Sequence, residues 1–401
     1  MNKRNALIFA LLFAILFTAL FLIRNTPLKV DEQDHYPQTV SYGNGDFSKP
    51  YVISTLTTFH ALLAAISKIT GITSISFFRT INLFFALIAI IVFGFASKHL
   101  NKKISILNIL QFSFFPIIFP YFFLIYTDVL SLLMILCALL FLIREKYQWS
   151  GIFSIFACLV RQDNIVWLGF FLVLSFVNIY GFKLKIKDIY NHLLKFWSFS
   201  VGIILFIIFV IINKGIAIND KSMHPAFSFY LGNIYFLLFI FFILFIPLHV
   251  ANHKKIIALF KRYKLIIAAI VSFYFLFLLS FSNDHPFNYQ WGNYFLRNKL
   301  LIFFNSSVIN KTVFFILITY SALSLCVTEF KHKNFYLLYV FTFLFLIPSW
   351  LIEQRYYFIP LSLFLLFKKE EKNWVEISTT VLFVVASGFL FLIIRGNQYF
   401  L

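Results

Sequence analysis

The chain is poor in charged residues and in the small residues that make flexible linkers. Only 12% of its 401 residues are charged, whereas 61% are hydrophobic, and it contains 13 Gly and 10 Pro. This composition excludes a disordered chain and an ordinary soluble domain. With no linker and no internal repeat, residues 1–401 are predicted to form a single membrane-embedded domain, all-α and polytopic.

The motifs that the chain lacks exclude several chemistries. It has no Gly-rich phosphate loop, Walker lysine, zinc-type Cys/His spacing or Gly-x-Ser-x-Gly elbow, so nucleotide-driven transport and soluble nucleotide-sugar chemistry lose support. Its three cysteines, Cys137, Cys158 and Cys326, lie within apolar segments and imply no disulfide framework. No metal ion and no cofactor is predicted.

Positive charge is in excess, with a formal net charge of +19. The basic residues occur in short clusters between apolar runs and form no separate basic domain. Membrane topology explains that placement better than a nucleic-acid partner does, because cytoplasmic loops are enriched in Lys and Arg. Membrane lipid is therefore an expected partner, and nucleic acid is not.

Many hydrophobic segments are long enough to cross a bilayer as helices. The first has a short basic start and is followed by no small-residue cleavage site, so it is predicted to be an uncleaved signal anchor. The segments predicted to span lie near residues 5–23, 77–97, 104–124, 126–143, 196–213, 229–249, 265–282, 311–328, 335–351 and 375–394.

Three further segments are ambiguous: residues 52–70 look amphipathic, residues 150–180 are broken by a polar run, and residues 356–367 are short. If 52–70 lies on the exterior surface and 150–180 turns back at residues 161–164, most of the 34 Lys and Arg fall on the cytoplasmic side. If residues 52–70 cross the membrane instead, the basic clusters no longer fall consistently on the cytoplasmic side. The favoured topology has about 12–13 transmembrane helices and a structured first exterior loop over residues 24–76.

In this topology, the polar residues that do not serve as cytoplasmic anchors collect on the exterior side. A charged group at bilayer depth costs about 2.5–3.5 kcal/mol on insertion scales, so such groups normally face a cavity or a partner. Polar patches that converge on one face therefore indicate a functional site. The patches are residues 31–38, 126–128, 161–164, 219–224, 283–287 and 353–357.

Two arginines are candidates for phosphate binding. Arg161 and Arg355 stand at predicted exterior ends of membrane segments, each beside an amide, Gln162 or Gln354. A guanidinium at the headgroup level can bind a phosphate through two hydrogen bonds. The alternative is an interfacial arginine that extends to water.

The acidic residues and histidines also allow two interpretations. Residues 31–38 contain three carboxylates and a histidine, which form either an acid/base centre or a solvated acidic loop. Asp128 lies at a predicted helix start, where a capping or first-turn acid is favoured. His224 and His285 each precede a proline, so they either form turns or contact substrate hydroxyl groups.

Short motifs follow one another along residues 31–360 in an order that is typical of one enzyme family. Two positions depart from its pattern, with Asp163 in place of threonine and Asn219 in place of glycine. The matching residues are Asp31, Glu32, His35, Pro37 and Gln38; Phe119, Pro120 and residues 126–129; Arg161, Gln162 and Asn164; Asp220, Lys221, Ser222 and His224; residues 285–287; and Glu353, Arg355, Tyr356 and Pro360.

The chain resembles the eukaryotic dolichyl-phosphoglucose-dependent alpha-1,2-glucosyltransferases, which add the last glucose to the lipid-linked oligosaccharide. The resemblance implies the type C glycosyltransferase (GT-C) fold, an endoplasmic reticulum membrane location, and an active site on the luminal side. It also implies two substrates: dolichyl phosphate glucose as the donor and a diglucosylated lipid-linked oligosaccharide as the acceptor. Residues 24–76 would then form the first luminal loop.

One departure concerns the segment after His-Pro-Phe. The family carries an Asp-Asn-Arg-His-Tyr run there, whereas this chain has Gln-Trp-Gly-Asn-Tyr at residues 290–294. Either Arg297 supplies the missing positive charge, or the contacts to the donor or the acceptor differ.

The resemblance implies an inverting hexosyl transfer, because the donor is beta-linked and the product alpha-linked. Inversion needs one base opposite the leaving group, to take the proton of the attacking hydroxyl. Asp31 is predicted as this base, with Glu32 as the second choice and His35 as the residue that orients it.

The other matching residues are predicted to bind the substrates. Guanidinium groups stabilise a phosphate leaving group, so no metal ion is required in principle. The predicted ligands of the donor phosphate are Arg161, Gln162 and Arg355. The other predicted substrate-binding residues are Asp128, Asn164, Asp220, His224, His285, Glu353 and Tyr356.

Two alternatives stay open. One is another polyprenyl-phosphate-sugar glycosyltransferase of the same fold, such as a bacterial enzyme that modifies an envelope glycan at an exterior-facing site of the plasma membrane. The other is a lipid-linked-sugar transporter, which should have inverted repeats and polar groups near mid-membrane or on both faces. The sequence has neither feature.

Overall fold

The computed structural model describes residues 3–47, 53–219, 221–225, 229–290, 294–396 and 400. The chain divides into two compact units. Unit 1 is Met1–Ser113 with Ile118–Lys221, and unit 2 is Phe114–Ile117 with Ser222–Leu401. Within the described residues the regular structure is helical, with two isolated bridge pairs and no β-strand. The predicted all-α class is confirmed.

Unit 1 is built around α6, a helix whose apolar residues are buried along most of its length between α4 and α7. Its core position follows from its sequence, because a helix that is hydrophobic all round is normally buried. The helices are α1 (Lys3–Ile23), α2 (Glu32–Gly43), α3 (Thr58–Thr70), α4 (Ile75–Asn101), α5 (Ile106–Ser113), α6 (Thr127–Ile143), α7 (Tyr147–Val160), α8 (Ile165–Tyr180), α9 (Ile186–Lys195) and α10 (Trp197–Asn213), with short 3-10 helices at Phe119–Phe123 and Gln162–Asn164.

Unit 2 has an aromatic core in which Phe241, Phe245 and Phe364 pack with ring centroids 4.6–5.3 Å apart. Aromatic side chains bury large areas, which suits a chain with 59 Phe. The helices are α11 (Gly232–Leu244), α12 (Ile246–Arg262), α13 (Leu265–Ser280), α14 (Leu301–Asn305), α15 (Val308–Val327), α16 (Leu337–Leu346), α17 (Phe358–Phe367) and α18 (Asn373–Arg395), with 3-10 helices at Pro286–Asn288, Lys333–Tyr336 and Gln354–Tyr357 and a π-helix at Phe295–Leu300.

The protein is a polytopic membrane protein, as predicted. Within the described chain, five helical segments are long and apolar enough to cross a membrane. Two bent pairs, α9 with α10 at 89° and α11 with α12 at 100°, bring the number to seven if each pair is one span. The higher number of about 12–13 crossings, which counts shorter and broken helices, stays a prediction. The five segments are Asn5–Ile23, Ile75–Asn101, Gln162–Tyr180, Val308–Val327 and Asn373–Arg395.

Two of the ambiguous segments have the predicted form. The helix α3, within residues 52–70, has 13 residues and buries Phe59 and Leu63 on one side. At 1.5 Å per residue it is too short to cross a hydrocarbon core of about 30 Å. Residues 150–180 are interrupted where predicted, because α7 ends at Val160 and α8 begins at Ile165.

Two predicted spans are not continuous helices. In residues 104–124, α5 ends at Ser113 and a separate 3-10 helix begins at Phe119; in residues 229–249, the chain bends between α11 and α12. Prolines account for both breaks, because proline lacks an amide donor and clashes with the preceding turn. They are Pro116, Pro120 and Pro247.

The packing of α7 against α10 depends on Gly151. A Cβ atom built on Gly151 would lie 2.1 Å from Ser198 Oγ and 3.1 Å from the backbone nitrogen of Phe199. The Ser198 hydroxyl donates to the carbonyl oxygen of Gln148 at 3.0 Å, so its side chain is held in place. The two helices therefore have no room for a larger residue at this crossing.

Replacing Gly151 with alanine is expected to lower the free energy of unfolding by about 1–3 kcal/mol, because overpacking forces side chains and backbone to shift. The thermal midpoint of the purified protein in detergent measures this loss. Gly388→Ala is the matched control, since a Cβ atom there meets nothing within 4 Å. Equal midpoints for the two variants would show that the crossing can open without cost.

Candidate active site

The acidic stretch forms the start of helix α2. Asp31 is the N-cap residue, and Glu32 and Asp34 lie in the first turn, where the positive end of the helix dipole favours carboxylates. The Asp31 side chain makes no capping hydrogen bond to α2. Its backbone amide donates to the Tyr126 hydroxyl at 3.1 Å. The backbone of Asp31 is therefore fixed by another segment, while its half-buried carboxylate takes no part in the cap.

Glu32 is fully buried, and its carboxylate accepts four hydrogen bonds. Two come from the Arg79 guanidinium, at 2.9 Å to Oε1 and 2.5 Å to Oε2. The other two come from the backbone amides of Ile125 and Lys29, both at 2.8 Å. With both oxygens held in this way, Glu32 is placed to stabilise the fold rather than to receive the proton of a substrate.

Arg79 is a residue that no sequence motif marks. It is fully buried on α4, and besides Glu32 its guanidinium donates to the carbonyl oxygens of Ile23 at 2.7 Å, Thr26 at 2.9 Å and Pro27 at 3.1 Å. It ties the end of α1 and the loop that follows to α4. The signal available in the sequence is a single arginine within an apolar helix, because a charge there requires a partner.

Asp31 and Asp34 are the carboxylates of α2 that stay half-buried. Burial raises the pKa of Asp34, and the negative charge of Asp31 raises it further. Two of the three carboxylates of the acidic stretch therefore lie outside the buried ion pair with Arg79.

His35 and His60 form a buried pair that joins α2 to α3. Nδ1 of His35 lies 2.8 Å from Nε2 of His60, and the ring centroids are 5.1 Å apart. One of these nitrogens donates and the other accepts, so the contact holds a single proton. Tyr126, which bonds the Asp31 amide, packs edge-on to His35 at 5.5 Å. That His35 orients Asp31 stays a prediction.

Acidification is expected to destabilise unit 1 through His60. Burial, together with the nearby His35 ring, holds the pKa of His60 well below its usual 6.5. The unfolded chain then binds a proton that the folded chain does not, so stability present above pH 6.5 is lost as the pH falls.

The expected loss is up to about 1.4 kcal/mol per pH unit. Thermal midpoints of wild type and His60→Gln, measured from neutral to mildly acidic pH, test this. The wild-type midpoint should fall more steeply than that of the variant. Parallel curves would assign the acid sensitivity to another group.

Arg161 lies between two carboxylates. Its Nη1 donates to Asp128 at 2.8 Å, and its Nη2 and Nε donate to Asp163 at 2.9 and 3.4 Å. Asp128 is a first-turn residue of α6, the position favoured from the sequence. A phosphate that approaches Arg161 has to compete with both negative side chains.

Gln162 and Asn164 use their amide groups within unit 1. Gln162 donates to the carbonyl oxygens of Ser54 and Ile216 at 2.7 and 3.0 Å and accepts from the amide of Leu56 at 3.1 Å. Asn164 donates to a serine hydroxyl of α6 and to a carbonyl oxygen of α7, both at 2.8 Å. Both residues hold in place the turn that separates α7 from α8.

In unit 2, Glu353 is buried beside two arginines. Its Oε2 accepts from Arg297 Nη1 and lies 3.5 Å from Arg355 Nη2. The Arg297 guanidinium also covers the Tyr294 ring at 3.6 Å from the ring centroid, a favourable cation–π contact. Arg297 therefore shares its carboxylate partner with Arg355. That Arg297 supplies the positive charge missing from residues 290–294 stays one of the two predicted alternatives. The preceding residues 291–293 lie outside the described part of the chain.

Two buried asparagines fix the segment that carries Glu353 and Arg355. Asn233, at the start of α11, donates to two carbonyl oxygens of this segment at 3.0 and 2.8 Å and accepts from the amide of Glu353 at 3.2 Å. Asn288 exchanges hydrogen bonds of 2.9 and 3.0 Å with the backbone of Ile352. Neither asparagine belongs to a predicted motif; the signal in the sequence is a polar residue that needs partners within an apolar surrounding.

His285 builds the loop in which it lies. It is fully buried, its Nδ1 accepts from the amide of Phe287 at 3.1 Å, and its Nε2 lies 3.2 Å from a backbone carbonyl oxygen. This geometry fits the turn-forming alternative. His224 and Tyr356 are half-buried, and Asp220 lies outside the described residues. Among the residues that are described, no group of three or more His, Cys, Asp or Glu side chains is placed to hold a metal ion.

Comparison with known protein families identifies the family of the chain. Residues 26–184 and 178–366 match the DIE2/ALG10 family, and this region includes every motif of the resemblance. The chain belongs to the DIE2/ALG10 family. The resemblance inferred from short motifs is therefore confirmed.

Several proteins that resemble this chain are named Dol-P-Glc:Glc(2)Man(9)GlcNAc(2)-PP-Dol alpha-1,2-glucosyltransferase. The one from Candida albicans is 25% identical over 305 residues, which cover 71% of this chain and 66% of that protein. The one from Debaryomyces hansenii is 31% identical over 165 residues, 36% of this chain and 35% of that protein. The human protein is 23% identical over 404 residues, 82% of each chain.

The matches to the two fungal relatives cover less than two thirds of their length. No solved structure matches the chain significantly.

Proposed function

We propose that this chain is an inverting GT-C glucosyltransferase of the endoplasmic reticulum membrane with its site on the luminal side. It would move glucose from dolichyl phosphate glucose to the terminal alpha-1,2 position of a diglucosylated lipid-linked oligosaccharide. The observation that carries this proposal is the family match over residues 26–366, together with the activity named for the relatives. The polar patches at the ends of the apolar helices supply residues for the chemistry.

Asp31 is the proposed base. The acceptor hydroxyl attacks the anomeric carbon of glucose, the bond from that carbon to the phosphate oxygen breaks, and the proton of the hydroxyl passes to a carboxylate. Glu32 is disfavoured because Arg79 and two amides hold both of its oxygens. Asp31 is half-buried, and the Tyr126 hydroxyl fixes its backbone amide. Asp34, one helical turn further along α2, is the second candidate for the base.

Arg161 and Arg355 are the two proposed ligands of the donor phosphate, and their surroundings favour Arg355. Arg161 already contacts two carboxylates, whereas Arg355 and Arg297 share Glu353. The phosphodiester of the donor, bound by Arg355, would gain a stronger charge-assisted hydrogen bond as negative charge develops on the leaving phosphate oxygen. Gln162 is proposed to position Arg161 rather than to touch the donor, because its amide is used by the backbone.

Arg355→Gln is expected to raise the KM for dolichyl phosphate glucose by about 10- to 100-fold, because a hydrogen bond to a charged group contributes about 1.5–3 kcal/mol. The KM for the acceptor should change little. Arg161→Gln in parallel separates the two candidates. A donor KM that rises only in Arg161→Gln would make Arg161 the phosphate ligand and Arg355 a structural residue.

The proposed function is tested by the choice of donor. Purified protein is given a diglucosylated lipid-linked oligosaccharide with either dolichyl phosphate glucose or dolichyl phosphate mannose, and the mass of the released glycan is measured. The proposal predicts one added hexose from the glucose donor alone. Folded protein that transfers from neither donor, or only from the mannose donor, would refute it.

The other residues predicted to bind substrate are given the following roles in the proposal. Asp128, Asn164 and Gln162 hold Arg161 and the turn around it, and Glu353 holds Arg355. Asp220, His224 and Tyr356 stay proposed substrate-binding residues. His285, predicted with them, is proposed to contribute indirectly, by supporting the loop in which it lies.

A further inference from the structure

Unit 2 contains a cavity of about 210 Å³, whose lining includes Phe229, Tyr230, Gly232, Asp284, Trp350 and Ile352. Two of these residues are chain neighbours of residues described above in the surroundings of Arg355. Gly232 precedes Asn233, and Ile352 precedes Glu353. The segment that carries Glu353, which Asn233 and Asn288 hold in place, therefore forms part of the cavity wall. None of the lining residues has been given a role in the proposed function.

Aromatic rings form one side of the cavity. Trp350 stacks on Tyr230 with ring centroids 5.9 Å apart and an interplanar angle of 16°, and the buried His285 ring meets Trp350 edge to face at 4.6 Å. Phe229, also in the lining, is 70% exposed. Rings held in this way offer flat apolar surfaces with little remaining conformational freedom.

A carboxylate lies at the edge of these rings. The Trp350 indole nitrogen donates to Asp284 Oδ1 at 3.0 Å, and the Ser282 hydroxyl approaches the same oxygen at 3.3 Å. Asp284 is exposed, so its carboxylate can also accept hydrogen bonds from a ligand. The cavity combines apolar aromatic surfaces with a fixed acceptor for hydroxyl groups.

We propose that this cavity is a subsite for one hexose ring of the sugar substrates. A pyranose has apolar C–H faces that pack on aromatic rings and equatorial hydroxyl groups that donate to a carboxylate such as Asp284. Cavities that enclose drug-sized ligands measure about 300–1,000 Å³, so about 210 Å³ suits a single ring rather than an oligosaccharide. The proposal rests on the proposed function, and the ring belongs either to the donor glucose or to the terminal glucose of the acceptor.

The test uses three variants of the full-length protein and a control. Trp350→Ala removes the aromatic surface, Trp350→Phe keeps a ring without the indole donor, and Asp284→Asn keeps an acceptor for Trp350 without the negative charge. Trp374→Ala is the matched control, because Trp374 is an exposed tryptophan in the first turn of α18. Thermal midpoints establish that each variant is folded.

Kinetics of transfer give the first readout. Trp350→Ala is expected to raise the KM for one of the two substrates by about 10-fold, Asp284→Asn by several-fold, and Trp350→Phe by less than Trp350→Ala. A change in the acceptor KM assigns the ring to the acceptor, and a change in the donor KM assigns it to the donor. Values unchanged in all three variants, as in Trp374→Ala, would overturn the proposal.

Saturation-transfer NMR with a free alpha-linked diglucoside gives a second readout that needs no turnover. If the ring is that of the acceptor, the diglucoside signals should weaken in Trp350→Ala and persist in Trp374→Ala; if it is that of the donor, the donor KM decides. If wild type transfers no glucose and yet shows Trp350-dependent signals, the proposed function fails and the hexose subsite stands. If wild type transfers glucose with signals and KM values independent of Trp350, the subsite fails and the function stands. Should Trp350→Ala not fold, Asp284→Asn and Trp350→Phe decide by the same two measurements.

Discussion

Replacing Arg79 with methionine is expected to cost about 3–5 kcal/mol of stability, because removal of one partner of a buried ion pair leaves an uncompensated buried charge. The charge left behind is that of Glu32, which is fully buried and receives two of its four hydrogen bonds from Arg79. The carbonyl oxygens of Ile23, Thr26 and Pro27 lose the hydrogen bonds that Arg79 donates to them as well. The readouts are the yield of monodisperse protein in detergent and its thermal midpoint.

Arg144→Met serves as the control for this prediction. Arg144 is exposed at the end of α6 and contacts His99 at 3.3 Å, so its loss should change stability by no more than about 0.5 kcal/mol. The double variant Glu32→Gln/Arg79→Met removes both charges and should recover part of the loss. If the thermal midpoint of Arg79→Met equals that of Arg144→Met, the ion pair between Arg79 and Glu32 does not stabilise the first loop.

Asp31→Asn is expected to lower kcat by about 10²- to 10⁴-fold, the range that a positioned general base contributes. Asparagine is nearly isosteric with aspartate and cannot accept the proton of the acceptor hydroxyl. The KM for the donor and the thermal midpoint should stay close to wild type, because the Asp31 side chain does not cap α2 and its backbone is fixed through Tyr126. Steady-state transfer kinetics measure both constants.

Gln33→Ala is the matched control, since Gln33 is the exposed neighbour on the same turn. Asp34→Asn tests the second carboxylate: removal of its charge lowers the repulsion at Asp31, so its effect on kcat should stay below that of Asp31→Asn. Full turnover in Asp31→Asn, with activity lost in Asp34→Asn, would transfer the role of base to Asp34.

Features encoded locally could be predicted from the sequence. The all-α class and the membrane character follow from long apolar runs, and the interruption at residues 161–164 follows from polar residues inside such a run. The family followed from short motifs that keep their order along the chain. Each of these signals can be read within a window of a few dozen residues.

Contacts between distant segments could not be predicted in the same way. Glu32 bonds to Arg79, 47 residues away, and no local pattern says which of three neighbouring carboxylates turns inward. Asn233 bonds to the amide of Glu353 from 120 residues away. Such pairs are decided by tertiary packing, where a buried polar group takes whichever partner the fold brings to it.

The two broken spans have a different cause. Residues 104–124 are apolar enough to span, and average hydrophobicity does not register that prolines divide them. A hydropathy criterion measures transfer to lipid, whereas helix continuity depends on every backbone donor in the run. The positions of proline therefore carry information that the predicted spans did not use.

The most direct test of the proposed alpha-1,2-glucosyl transfer is the structure of the product. Purified protein is incubated with dolichyl phosphate glucose and the diglucosylated lipid-linked oligosaccharide, and the released glycan is analysed by NMR for the linkage and anomeric configuration of the added residue. The account predicts one new glucose, alpha-linked to the 2-position of the terminal glucose. A beta linkage, another position, or no added glucose from folded protein would contradict it.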